Sequence, residues 1–179
     1  MLFHLDNYKR NQLLYYFNQL NENSKVFESI LKINNNELIT WKQAEDKWSL
    51  LEIICHLCDE EVADFRARVL NILSNPAEPF KTIDPGGWVK QRNYNKQNYE
   101  MKMQQFLNER NISIEFLKTQ EKANWDNVHQ HPTLGAMSAK FMLTNWISHD
   151  YLHIRQIVKL KYEYLASISN EKQSYAGIW

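Results

Sequence analysis

Trp48-Ser49-Leu50-Leu51-Glu52-Ile53-Ile54-Cys55-His56-Leu57-Cys58-Asp59-Glu60-Glu61 is the stretch on which the reading of this chain turns. Ser49-Leu50-Leu51-Glu52 has the form of a capping box, in which the serine oxygen and the glutamate each satisfy a free backbone N–H. A helix therefore starts near Ser49, with Trp48 placed to staple onto a later apolar residue. Leu50, Ile53, Ile54, Leu57, Val62, Phe65, Val69 and Ile72 recur at helical steps and supply its core face. Asn75-Pro76 stops it.

Working outward, three more segments carry helical spacing. The first runs from about Asp6 to Ile33, with Leu13, Leu14, Phe17, Leu20, Phe27, Ile30 and Leu31 as its buried stripe, and ends at Asn34-Asn35-Asn36. A third spans roughly Lys96 to Gln120, with Met103, Phe106, Leu107, Ile114, Phe116 and Leu117 for burial. The fourth begins around Gly135 and reaches about Tyr164, ahead of a polar tail. No repeat or segment of strand period is apparent, so the expected fold is all-α: one domain over residues 1–179, built as a four-helix bundle. Helices of roughly 25 residues are about 37 Å long. The connection between the second and third, with Pro76, Pro79 and Asp84-Pro85-Gly86-Gly87, is long enough to cross that length, which permits the two helices to run parallel.

Bulk composition narrows the functional classes. With 21 basic and 21 acidic side chains the formal charge is zero, so the cationic footprint of a dedicated nucleic-acid binder is missing. No run of about 18 apolar residues offers a membrane span, and the N-terminal stretch lacks the pattern of a secretory signal. A cytoplasmic protein without nucleic-acid or membrane partners is expected. Cys55 and Cys58 match C-x-x-C, but mid-helix and without a βαβ context they read as buried structural thiols.

The chemistry points to histidines. His149 and His153 stand at i and i+4, so two imidazoles on one helix face are able to converge on one ion. That face continues through Met142, Trp146, Gln156 and Leu160, which turns it toward the bundle interior. Buried imidazoles need partners, and either a metal or hydrogen-bonding side chains would serve. His56 is the natural third ligand, mid-helix like the others. Three neutral ligands leave open coordination positions, as in catalytic rather than structural zinc sites. Imidazole suits zinc, nickel, copper and iron(II), so the motif does not name the metal. Glu60 or Asp59 is placed to act as a base or to orient a ligand from outside. His129 and His131 precede the fourth helix, as solvated loop residues or within reach of the site. Trp88 and Trp179 read as exposed aromatics at an interface or surface.

The opening stretch, together with His131-Pro132-Thr133-Leu134-Gly135 and His149-Asp150-Tyr151-Leu152-His153-Ile154-Arg155-Gln156-Ile157, resembles the DinB/YfiT-like superfamily over essentially the whole chain. The carrying patterns are W-S-x-x-E-I-x-x-H-L-x-D-x-E and H-D-x-x-H-x-x-Q-I. The resemblance implies an up-down-down-up four-helix bundle, frequent homodimers, and a three-histidine site often holding zinc or nickel, mapping onto His56, His149 and His153. It further implies small-molecule chemistry. Some relatives are metal-dependent transferases that activate a low-molecular-weight thiol, others are isomerases or hydrolases. The cysteines lie outside the pattern. The leading expectation is a metal-dependent enzyme of the thiol-transferase type, and the alternative is a non-catalytic metal-binding bundle with a stress-response or interaction role.

Overall fold

The computed structural model describes residues 2–177, with side chains from Arg10 onward. Its elements are α1 (Leu2–Leu31), α2 (Asn36–Thr40), α3 (Leu50–Glu60), a π-helical turn (Glu61–Arg66), α4 (Ala67–Ser74), α5 (Pro85–Gln91), a 3₁₀ turn (Tyr94–Lys96), α6 (Tyr99–Thr119), β1 (Val128–His131), β2 (Gly135–Ser138), α7 (Ala139–Ser169) and a second 3₁₀ turn (Ser174–Ala176). The four expected helices are α1, the continuous rod α3–π turn–α4, α6 and α7. Trp179 and the end of the tail lie outside the described residues.

Side-chain contacts give the helix directions. Cys58 bonds Lys102 O, Glu61 meets Arg110 and Arg66 meets Ser113, so α3 and α6 run parallel. Asn23 meets Asp150 and Lys161 meets Ile30 O, so α1 and α7 run parallel too. His56 meets His149 while Glu61 meets Trp146, which sets α3 antiparallel to α7. These directions are compatible with the up-down-down-up order.

Local chemistry explains where the rods begin. The capping box at Ser49 forms in full: Ser49 Oγ accepts from Glu52 N, and Glu52 Oε2 accepts from Ser49 N at 2.8 Å. Asn98 caps α6 three residues later than expected, and Ser138 caps α7 at Ala139 rather than Gly135. The reason for the late start of α7 is a hairpin that the reading of the sequence lacked. β1 and β2 pair antiparallel with His131 opposite Gly135, and Gly135 (φ 76°) closes the short loop in a left-handed conformation that glycine adopts freely. Four-residue strands are too short to display a period, and only His129 and Met137, which face each other, are buried.

The π turn is a second departure. From Leu57 to Glu61, Phe65 and Val69, four-residue steps in a strict α-helix drift about 40° each off the core direction. The wider π turn absorbs that drift. Phe65, Val69 and Ile72 are buried as expected, whereas Val62 is turned outward to 38 % exposure. The long connection is also more ordered than its composition suggests. Asp84 caps α5 by accepting from Gly87 N at 2.9 Å, and Trp88 is buried, with the Arg92 guanidinium 4.1 Å from its ring centre. Trp88 is thus a core residue and not an exposed aromatic.

Candidate metal centre

Two rods deliver the site. The capping box fixes the start of α3, and His56 follows seven residues later. α7 brings His149 and His153 to the same level from the opposite direction. His149 Nε2 lies 3.3 Å from His56 Nε2 and 3.1 Å from His153 Nε2. One ligand atom from each ring falls within 4.8 Å of the others. Around a tetrahedral ion with Zn–N of about 2.0–2.1 Å, ligand nitrogens sit about 3.3 Å apart. The two edges at His149, 3.1 and 3.3 Å, match that spacing. Trp48 does cover a later residue, but it is His56, with ring centres 4.8 Å apart; Phe65 lies 5.0 Å from the His149 ring.

The protonation chemistry suits an ion. Burial, and then repulsion by His153, drives His56 down to about 3; burial lowers His149 and His153 as well. All three are neutral imidazoles, the form that ligates. Gln156 Oε1 lies 2.8 Å from His153 Nδ1. An N–H there donates to Gln156 and leaves the Nε2 lone pair facing the cluster, which is how ligand histidines are usually oriented. With no ion, a proton on His149 Nε2 can point squarely at only one of its two neighbours. His56 Nδ1 is buried without a partner, so the cluster is under-satisfied as a hydrogen-bond network.

The other candidates separate. Asp59 is held away by Tyr94 Oη and by Arg92 Nη1, 2.7 Å distant, tying α3 to the long connection. Glu60 is one helical turn beyond His56 and buried beside Asp64. Burial and that neighbour raise its carboxyl to about 8, and its Oε1 has no partner. His129 and His131 belong to the hairpin: His129 stacks on Phe80 with ring centres 3.9 Å apart and bonds Pro76 O, and neither belongs to the three-histidine cluster. Cys55 and Cys58 are free, buried thiols against carbonyls of Tyr94 and Lys102; burial pushes Cys55 up to about 12 and raises Cys58 too. They are structural.

A second polar cluster escaped the sequence reading. Arg110, 1 % exposed, donates from Nε and Nη2 to Glu61 at 2.9 Å each and from Nη1 and Nη2 to Asp150 at 2.6 and 2.7 Å. Trp146 Nε1 donates to Glu61 Oε2 and Asn23 Nδ2 to Asp150 Oδ2. The two carboxylates hold the guanidinium charged against its burial. The available signal was that Glu61 and Asp150 are fixed letters of the two quoted patterns, while Arg110 falls on the buried face of α6 between Phe106 and Ile114.

Comparison with known proteins agrees with this architecture. Among solved structures the chain is similar to YfiT from Bacillus subtilis, described as a probable metal-dependent hydrolase with an unusual four-helix bundle topology. The TM-score is 0.74 at 15% identity, covering 86% of this chain and 87% of that one; identity so low speaks for the fold alone. No curated protein sequence matches significantly. The DinB superfamily model matches residues 19–157, from within α1 to within α7 and including the three histidines, and the chain belongs to that superfamily.

Proposed function

We propose that His56, His149 and His153 bind one divalent transition metal, zinc or nickel, and that the protein is a metal-dependent enzyme acting on a small molecule. The observation that carries this reading is the convergence of three neutral imidazoles, with His149 Nε2 3.3 and 3.1 Å from the other two and Gln156 fixing one tautomer. A divalent ion there supplies Lewis acidity, polarising a substrate oxygen or keeping a bound thiol as thiolate near neutral pH.

The chain's own groups do the rest. The histidines contribute no charge, Gln156 holds the His153 ring, and Trp48 packs on His56 and Phe65 on His149. Glu60, raised to about 8 and partnerless at Oε1, suits proton transfer near neutral pH. Asp59 suits an outer supporting role through Tyr94 and Arg92. The finer reading is a transferase that uses a low-molecular-weight thiol as co-substrate, and hydrolysis is its rival within the same site. A homodimer in the cytoplasm is the setting we propose.

Metal analysis of protein purified without chelator is expected to give about one transition metal per chain, lost in His149→Ala and His153→Ala. A panel of electrophiles with several thiols, run beside ester and amide substrates, then separates transfer from hydrolysis. Metal uptake with no turnover across both panels would favour the non-catalytic metal-binding bundle, and no stoichiometric metal would end the reading altogether.

A further inference from the structure

The Arg110 cluster sits beside the histidines without hydrogen-bonding to them: Arg110 acts through space on His149, and Asp150 on His153. Asp150 is the next residue after His149, and Glu61 opens the π turn that begins five residues after His56. Its members come from all four rods: Asn23 from α1, Glu61 from the π turn, Arg110 from α6, Trp146 and Asp150 from α7. Two carboxylates and one guanidinium carry a formal charge of −1, and Glu61, Arg110 and Asp150 are each no more than 1 % exposed. A purely architectural cluster gains nothing from that leftover charge, because an uncompensated buried charge is costly. Three neutral imidazoles around a dication leave the opposite excess. The two imbalances lie side by side in the same interior.

We infer that Glu61, Arg110 and Asp150 form the counter-charge of the metal centre: a fixed, buried −1 that favours uptake of a dication by neutral ligands without touching it. The assignment presupposes the ion proposed above. Within the cluster, Arg110 holds the two carboxylates in place and Trp146 and Asn23 each donate one further hydrogen bond to them, so the charge is held rigidly. These are not catalytic residues, since their charge acts through space on the ion and they touch no substrate.

Asp150→Asn and Glu61→Gln each remove the net charge while keeping side-chain shape, and circular dichroism identifies the folded variants. Affinities for Co2+ and, anaerobically, Cu+ are measured by competition with a chromophoric chelator, with binding retained by His149→Ala subtracted. The expected result is a loss of roughly tenfold or more for Co2+, an unchanged Co2+ absorption spectrum, and a loss for Cu+ only about half as large on a logarithmic scale, because attraction to a fixed charge scales with the charge of the ion. Equal losses for both ions, or wild-type affinity in the folded variants, would overturn the counter-charge. Failure of the unaltered chain to bind Co2+ would instead remove the metal reading beneath it.

Discussion

The bundle interior holds two polar clusters, and they are built on opposite terms. Around Arg110, guanidinium N–H groups are matched by carboxylate oxygens, and those oxygens draw further donors from Trp146 and Asn23. Around His149, three rings face one another through nitrogens that cannot all be satisfied by one another, and His56 Nδ1 has no partner. A buried network whose bonds are already made when the chain folds is held rigid, as a fixed counter-charge requires. An unsaturated one that converges on a point is arranged for something that arrives later.

The contrast breaks most sharply under substitution. His149→Ala is expected to abolish stoichiometric metal binding while changing the metal-free unfolding free energy by no more than about 1 kcal/mol, since it removes an under-satisfied group; metal analysis and urea titration in chelator check both. Arg110→Met should do the reverse for stability. It strands two buried carboxylates, and a loss of about 3–5 kcal/mol is expected from denaturant midpoints.

Acid sharpens the same distinction. In the unfolded chain His56 takes up a proton near 6.5, whereas the fold resists down to about 3. The unfolded state binds more protons in that window, so metal-free protein loses stability as pH falls through it. Glu60 runs in the opposite sense: raised from 4.5 to about 8, it contributes fully below 4.5 and its contribution is lost as pH rises through 8. Melting temperature against pH in chelator should therefore fall at both ends, with the alkaline fall flattened in Glu60→Gln and the acid fall reduced in His56→Gln.

Smaller effects test the supports. Gln156→Leu removes the acceptor of His153 Nδ1 and should weaken zinc about tenfold, read by chelator competition, with little change in the metal-free fold. Ser49→Ala breaks one half of the capping box and should cost about 1 kcal/mol of stability without altering metal stoichiometry.

Much of this was legible in the linear chain because it is local. Capping at Ser49 depends on residues three apart, and the apolar stripes of the four rods follow from helix geometry alone. The i, i+4 spacing puts His149 and His153 on one face whatever the rest of the chain does. The hairpin was not legible, since His129 and Met137 are its only inward pair, and neither was the π turn, whose signature is a phase slip at Val62 rather than a motif. Arg110 was read past because a lone arginine on a helix is ordinarily solvated; only its two partners, 49 and 40 residues away, reveal it as core.

By itself, then, the sequence determined four amphipathic helices and which imidazoles share a face, since both follow from side-chain order and a fixed helical repeat. That His56 meets the other two, that Asp59 turns to Tyr94 and Arg92, and that a buried −1 lies beside the histidines were decided only by tertiary packing. Those facts depend on the relative rotation and height of separate rods, which interlocking of their surfaces sets and no local pattern encodes.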